Sequence, residues 1–391
     1  MKASDEIKSA AMEAAAGAKN EDDKIAALIH SVRARVRDAF GEDVTDAERQ
    51  KLLKSLPKER DRTSAEIFKS GLGTPNEMNV VFAAMAQQAG LEARAAVVAD
   101  RDELEFNPKY TVDRYFLDNV DMAVKLGDNW KIYDVSRKLL PPGMLSWREE
   151  GMKALITDPK NPLFIETSIA APEASAENRR SKLRLSPEGT LEGDVEESYT
   201  GHRAEEYRSQ LVRQSPAQRE EWLRDRITGM LPDADLTVLK IEDVDDAAKP
   251  LRTSYHLKAP NFAQVTAKRI LFEPNAFRRA QASPFSAGER KNIIIFPYAW
   301  QEVDETSIHL PEGWKLDNAG NPGPLNFGKP GAYELRIGIS STNQLVTHRE
   351  FSFGREGILV FAANAYPTMK KIFDEVQLRD RHTLSIIKED Q

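Results

Sequence analysis

The chain has 391 residues, 40% hydrophobic and 30% charged, enough for two or three domains of about 150 residues each. Its 55 Lys and Arg against 62 Asp and Glu leave a net charge of −7, which gives no electrostatic reason to expect nucleic acid or an anionic membrane surface and is too small to signal disorder. The absence of cysteine excludes disulfides, iron–sulfur clusters, thiolate zinc sites and any cysteine nucleophile, without fixing the compartment.

Residues 1–24 mix Ala with Lys, Glu and Asp and lack the apolar segment of a secretory signal. No apolar run approaches the ~20 residues of a membrane-spanning helix, so no membrane span is expected. Ile25, Leu28, Ile29, Val32, Val36 and Phe40 recur at spacings of three and four and predict one helix, closed by Gly41. A shorter helix is expected over 46–55, and the charges of 58–62, mixed in sign, read as a solvated face. Thr74, Pro75 and Glu77 form a Thr-x-x-Glu capping box with Pro at the first helical position, opening an apolar helix that ends at Gly90. Strands are expected over 93–99, 121–126 and 130–135, the last two joined by Gly127-Asp128-Asn129 as a hairpin. Residues 1–157 thus read as helices followed by an antiparallel sheet, an α+β domain.

Residues 158–180 read as a connector. Residues 181–391 read as a β-rich domain: a hairpin over Pro187-Glu188-Gly189, a helical insert over 203–229, then recurrent short strands that suggest a sandwich. A helix over 362–377 and a strand over 383–388 close the chain.

Gly71-Leu72-Gly73-Thr74-Pro75 opens the buried-looking helix, Asp118-Asn119-Val120 begins one following strand, and Trp130 through Asp134 and Ser136 occupies the next, before Pro142-Gly143. In this order the chain resembles the transglutaminase-like superfamily, which implies a papain-like core followed here by a β-sandwich-like domain. Segments around Gly189–Gly193, 250–255, 309–314 and the Tyr366-Pro367 helix extend the resemblance over roughly residues 20–390. In that family a Cys at the helix N-terminus is activated by a His that an Asp orients. The positions equivalent to this triad are Pro75, Asn119 and Asp134, so the Cys and His are replaced. An Asn119–Asp134 hydrogen bond is a candidate substitute for the His–Asp pair. Thr74, Glu77 and Trp130 complete a candidate groove.

The expectation drawn from this resemblance is a bacterial pseudoenzyme, not an enzyme. It would act as a binding or scaffolding module for an extended peptide or polymer, with no cofactor and no metal. The resemblance also implies a leading β-domain ahead of the core and a periplasmic or extracellular setting. Two alternatives stand. One is a hydrolase using cleft carboxylates, for which Glu77, Asp118, Asp121 and Asp134 are candidates. The other is a calcium-binding structural protein built on Asp100, Asp102, Glu103 and Glu105, a cluster that lacks the Gly and spacing of an EF-hand and reads more simply as a solvated loop. No Gly-x-Ser-x-Gly elbow, His-Glu-x-x-His helix or P-loop occurs.

Overall fold

The computed structural model describes residues 3–41, 44–58, 60–102, 106–110, 117, 119–158, 160–318, 320–340 and 343–389. The chain is a mixed α+β protein and divides into two units, Met1–Ile169 and Ala170–Gln391. Among the described residues no helix is long and apolar enough to cross a membrane.

Five helices open the first unit: α1 (Asp5–Ala15), α2 (Glu21–Arg35), α3 (Asp46–Ser55), α4 (Ser64–Ser70) and α5 (Pro75–Gln88). Each begins where a short polar side chain, Ser4, Asn20, Thr45, Thr63 or Thr74, accepts a hydrogen bond from a first-turn N–H. In α3, α4 and α5 a Glu three residues on completes the capping box. The helix expected to run to Phe40 stops at Arg35. Val36 is already extended, and Arg37–Asp38 (β1) pairs in parallel with Leu72–Gly73 (β2), leaving Phe40 52% exposed. The helical spacing of Val36 and Phe40 is therefore coincidental, and the backbone hydrogen bonds to β2 decide the boundary.

Met78, Val81, Phe82 and Met85 of α5 pack with Ile7 of α1 and Leu28, Ile29 and Val32 of α2 in one core. That core also includes Met122, Val124 and Tyr133 from a five-stranded antiparallel sheet. The sheet comprises β3 (Ala93–Val98), β4 (Asn119–Leu126), β5 (Asn129–Tyr133), β6 (Lys153–Ile156) and β7 (Leu163–Glu166), in the order β5-β4-β3-β6-β7. Gly127, at φ +59°, makes the tight turn that sets Leu126 opposite Asn129. β7 lies within the stretch expected as a connector. It is an edge strand exposed at three of its four positions, so it shows no apolar alternation to read.

The second unit is built on an eight-stranded sheet. Its strands are β8 (Ala176–Leu185), β9 (Leu191–Tyr199), β10 (Asp235–Glu242), β11 (Leu251–Ala259), β15 (Trp300–His309), β17 (Leu325–Asn326), β18 (Gly331–Ser340) and β19 (Gln344–Phe353), in the order β10-β11-β9-β8-β15-β19-β18-β17. All neighbours are antiparallel except β8 and β15. A four-stranded sheet runs β12 (Gln264–Val265), β13 (Arg269–Phe272), β21 (Leu384–Lys388), β16 (Trp314–Asn318), and β14 (Ile294–Ile295) pairs with β20 (Val360–Phe361). The expected single helical insert is two helices, α6 (Gly201–Leu211) and α7 (Pro216–Met230), separated where Ser215 caps and Pro216 starts the second. With α8 (Tyr366–Asp380), α7 joins β13, β21 and the large sheet around one apolar core.

Within that unit a buried row of charges crosses the sheet. By register Thr253 stands opposite Glu197, Glu197 opposite Arg179, Arg179 opposite Asp304, and Asp304 opposite Arg349. The sign alternates over four adjacent strands, so each carboxylate has a guanidinium beside it.

Candidate functional site

The start of α5 is tightly tied. Glu77 accepts from the Thr74 backbone N–H at 2.8 Å and from Arg62 at 2.6 and 2.5 Å, while Thr74 Oγ1 accepts from the Glu77 N–H. Burial alone would raise the Glu77 carboxyl, but Arg62 and the cap outweigh it and hold it below its ordinary value. Pro75 takes the first helical position, where no intrahelical bond is lost. Two of the expected groove residues, Thr74 and Glu77, are thus joined to each other and to Arg62. Trp130 lies on β5 under the Arg94 guanidinium, 5.3 Å from its ring centre.

One turn into α5, buried Asn79 ties the helix to the sheet. Its Nδ2 donates to the Val120 carbonyl at 2.9 Å and to Asp134 Oδ1 at 3.1 Å, and its Oδ1 accepts from the Val135 N–H at 2.8 Å. Asp134 Oδ1 also accepts from the Ser136 N–H and hydroxyl at 2.9 and 2.7 Å, and Arg137 Nε lies 3.3 Å from its Oδ2. Asn119 opens β4 opposite Val98, and among the described residues no hydrogen bond joins it to Asp134. The reason lies in the hairpin register. Met122 faces Tyr133, which sets Asp121, not Asn119, across from Asp134.

Glu149 joins these two. One carboxylate oxygen from each of Asp121, Asp134 and Glu149 lies within 4.8 Å of the others, and all three residues are at least nine-tenths buried. Among the described residues, none donates a hydrogen bond to Asp121 Oδ2 or Glu149 Oε2. Burial first, and then the Glu149 and Asp134 charges, raise the Asp121 carboxyl well above its usual range. Burial and Asp134 push Glu149 up to about 7 against the opposing effect of Arg137. These three are the residues best placed to hold a cation or to exchange protons with a bound molecule.

The carboxylate candidates of the sequence therefore divide. Asp121 and Asp134 converge, Glu77 is engaged at the helix cap, and Asp118 lies outside the described residues. Glu149 was missed, because the turn carrying it, with its N–H bonded to the Ser146 carbonyl, belongs to no periodic element. In the calcium alternative, Asp100 and Asp102 both face Arg148, and Glu103 and Glu105 lie outside the described residues. In the second unit a cavity of about 310 Å³ is lined by Phe296, Trp300, Phe351 and Phe373, with Glu302 and Asp380 already paired to Arg349.

A family described as a domain of unknown function with a solved structure, DUF3858, matches residues 268–386. No curated protein matches the chain. Among solved structures, one from Parabacteroides distasonis bearing the name "putative protease" is similar over 98% of this chain, with a TM-score of 0.50 and 13% identity. This chain spans 55% of that protein's length. The finding corrects the expectation that the chain is not an enzyme, since a protein similar in fold over 98% of this chain is itself named a "putative protease". The missing Cys and His exclude thiol chemistry only, and leave carboxylate chemistry open.

Proposed function

We propose that residues 1–169 form a hydrolase of amide bonds in extended peptides, with Asp121, Asp134 and Glu149 as its reaction centre. The core on this reading is papain-like and of the transglutaminase-like type, followed by a β-sandwich-like domain. Its Cys position is taken by Pro75, and its acid–base chemistry has moved to carboxylates of the sheet and the Ser146–Gly151 turn. The observation that carries the reading is the convergence of three buried carboxylates from β4, the end of β5 and that turn. The protease name of the similar structure and the order of α5, β4 and β5 support it further.

The chemistry needs two carboxyl groups. One takes a proton from an attacking water as its oxygen bonds to the amide carbon, and another gives a proton to the nitrogen as the C–N bond breaks. Asn79 and Ser136 hold Asp134 in one orientation, which sets it to position that water. Asp134, 7% exposed, is the most accessible of the three, so substrate would approach from its side. Asp121 and Glu149, 2% and 1% exposed, stand behind it.

The test is cleavage of a mixed peptide library by the full chain, read by mass spectrometry, beside Asp134→Asn and Glu149→Gln. Cleavage that resists a thiol-directed inhibitor and falls at least tenfold in both variants supports the reading. No cleavage by the unaltered chain, or cleavage undiminished in both variants, overturns it.

A further inference from the structure

We propose that Asp121, Asp134 and Glu149 together bind one hard divalent cation. The inference builds on reading this cluster as a functional centre, but binding is measured without hydrolysis, so either can fail alone.

The donor set is all oxygen, with no Cys or His, which suits Mg²⁺, Mn²⁺ or Ca²⁺ rather than softer metals. Oxygen ligands at about 2.1 Å from Mg²⁺ or about 2.4 Å from Ca²⁺ stand about 3 Å apart when adjacent and under about 5 Å when opposed. The three oxygens lie within 4.8 Å of one another, so small side-chain rotations, without rearrangement of the strands, bring them round one ion.

The second observation is independent of their proximity. Among the described residues nothing donates to the buried Asp121 Oδ2 and Glu149 Oε2. A carboxylate oxygen removed from water and left unpaired is costly, and in native folds such oxygens are met by a donor, a water or a cation. The nearby guanidinium groups do not meet this need. Arg137 reaches Asp134, while Arg33 is spent on the carbonyls of Val135, Leu140 and Arg137. The ligands are also fixed in advance. Asn79 clamps Asp134 to α5, the sheet holds Asp121, and the Ser146 carbonyl accepts from the Glu149 N–H at 2.9 Å.

Calorimetry on the full chain, stripped with chelator and titrated separately with MgCl₂, MnCl₂ and CaCl₂, tests the proposal. NaCl of equal ionic strength serves as the control. One cation is expected to bind at one per chain and to raise the melting temperature. Asp121→Asn and Glu149→Gln are expected to weaken binding at least tenfold. Each replaces a buried carboxyl by an amide of the same shape, and melting of both variants in chelator, compared with the unaltered chain, separates lost binding from lost folding. Failure of all three cations to bind up to 10 mM, or equal binding by both variants, overturns the proposal. Cation binding without peptide cleavage refutes the hydrolase and leaves the site standing. Cleavage in chelator with no binding does the reverse.

Discussion

Arg179 and Glu197 face each other across β8 and β9, with Nε 2.6 Å from Oε1 and both side chains buried. The same guanidinium also reaches Asp304 across the parallel pair and Glu177 on its own strand. Such a network is a weak source of net stability, because desolvation offsets attraction, but removing one member strands the rest. Arg179→Met is expected to destabilise the chain by about 3–5 kcal/mol, since three buried carboxylates lose a partner at once. Urea unfolding of the full chain, followed by the tryptophan signal, checks this. A loss below about 1 kcal/mol would mean that the remaining partners, Arg226 at Glu197, Arg278 at Glu177 and Asp304, and Arg349 at Asp304, suffice without it.

The same network makes stability depend on acid. Burial would raise Glu197 and Asp304, but the arginines outweigh it and hold both near about 2, from ordinary values of 4.5 and 3.8, with Glu177 lower still. Groups depressed in the folded state contribute stability that is complete above their unfolded values and is lost as pH falls toward the folded ones. For the second unit the urea midpoint is therefore expected to lose nothing from neutrality to about pH 5 and to fall steeply between about 4.5 and 2, whereas the raised Asp121 and Glu149 of the first unit favour its folding as pH falls through about 7. A midpoint unchanged at pH 3 would contradict the depressed values.

At the head of α5, Thr74→Ala is expected to cost about 0.5–2 kcal/mol, the usual range for a lost N-cap. Glu77→Ala should cost more, because it removes the cap's second half and leaves Arg62, 8% exposed at the side chain, without its carboxylate. Denaturant midpoints of the two variants give the order directly.

Asn79→Ala is expected to cost about 1–3 kcal/mol more than an exposed Asn to Ala change for the buried Val135 N–H left unpaired, with a smaller share from the part-buried Val120 carbonyl. Hydrogen exchange should quicken at Val135 before it does in the interior of β3. Unchanged exchange there would show that another group takes over the bond.

Much of the α+β layout was legible because it rests on local chemistry. The Thr74-Pro75-Glu77 cap, the Gly127 turn and the Gly189 turn each announce their conformation within a few residues. The α4 helix is seven residues long and β7 is exposed, so neither shows a period to read, while α1 buries Ile7, Ala10 and Ala11 on one face, two of them alanines that mark a core weakly. At the candidate site, Asp121 and Asp134 were visible as acidic residues on expected strands. Their partnership was not, because it follows from which residue of β4 faces which residue after β5, a register that one residue of error inverts. Glu149 could not be read at all, since its turn has no repeating pattern.

The β8–β15 pairing has a further consequence. Hairpins inherit their register from the turn that joins them, but two parallel strands whose facing charges lie 125 residues apart have no such guide. Apolar residues such as Leu183 and Ile308 would tolerate sliding by two positions, because that keeps them on the same face. The charges do not tolerate it. A two-residue slip sets Asp304 against Ser181 in one direction and against Glu177 in the other, in place of Arg179. The buried ion pair thus works as a key that admits one alignment of the two halves of the sheet, and its worth lies in the misfolded pairings it forbids.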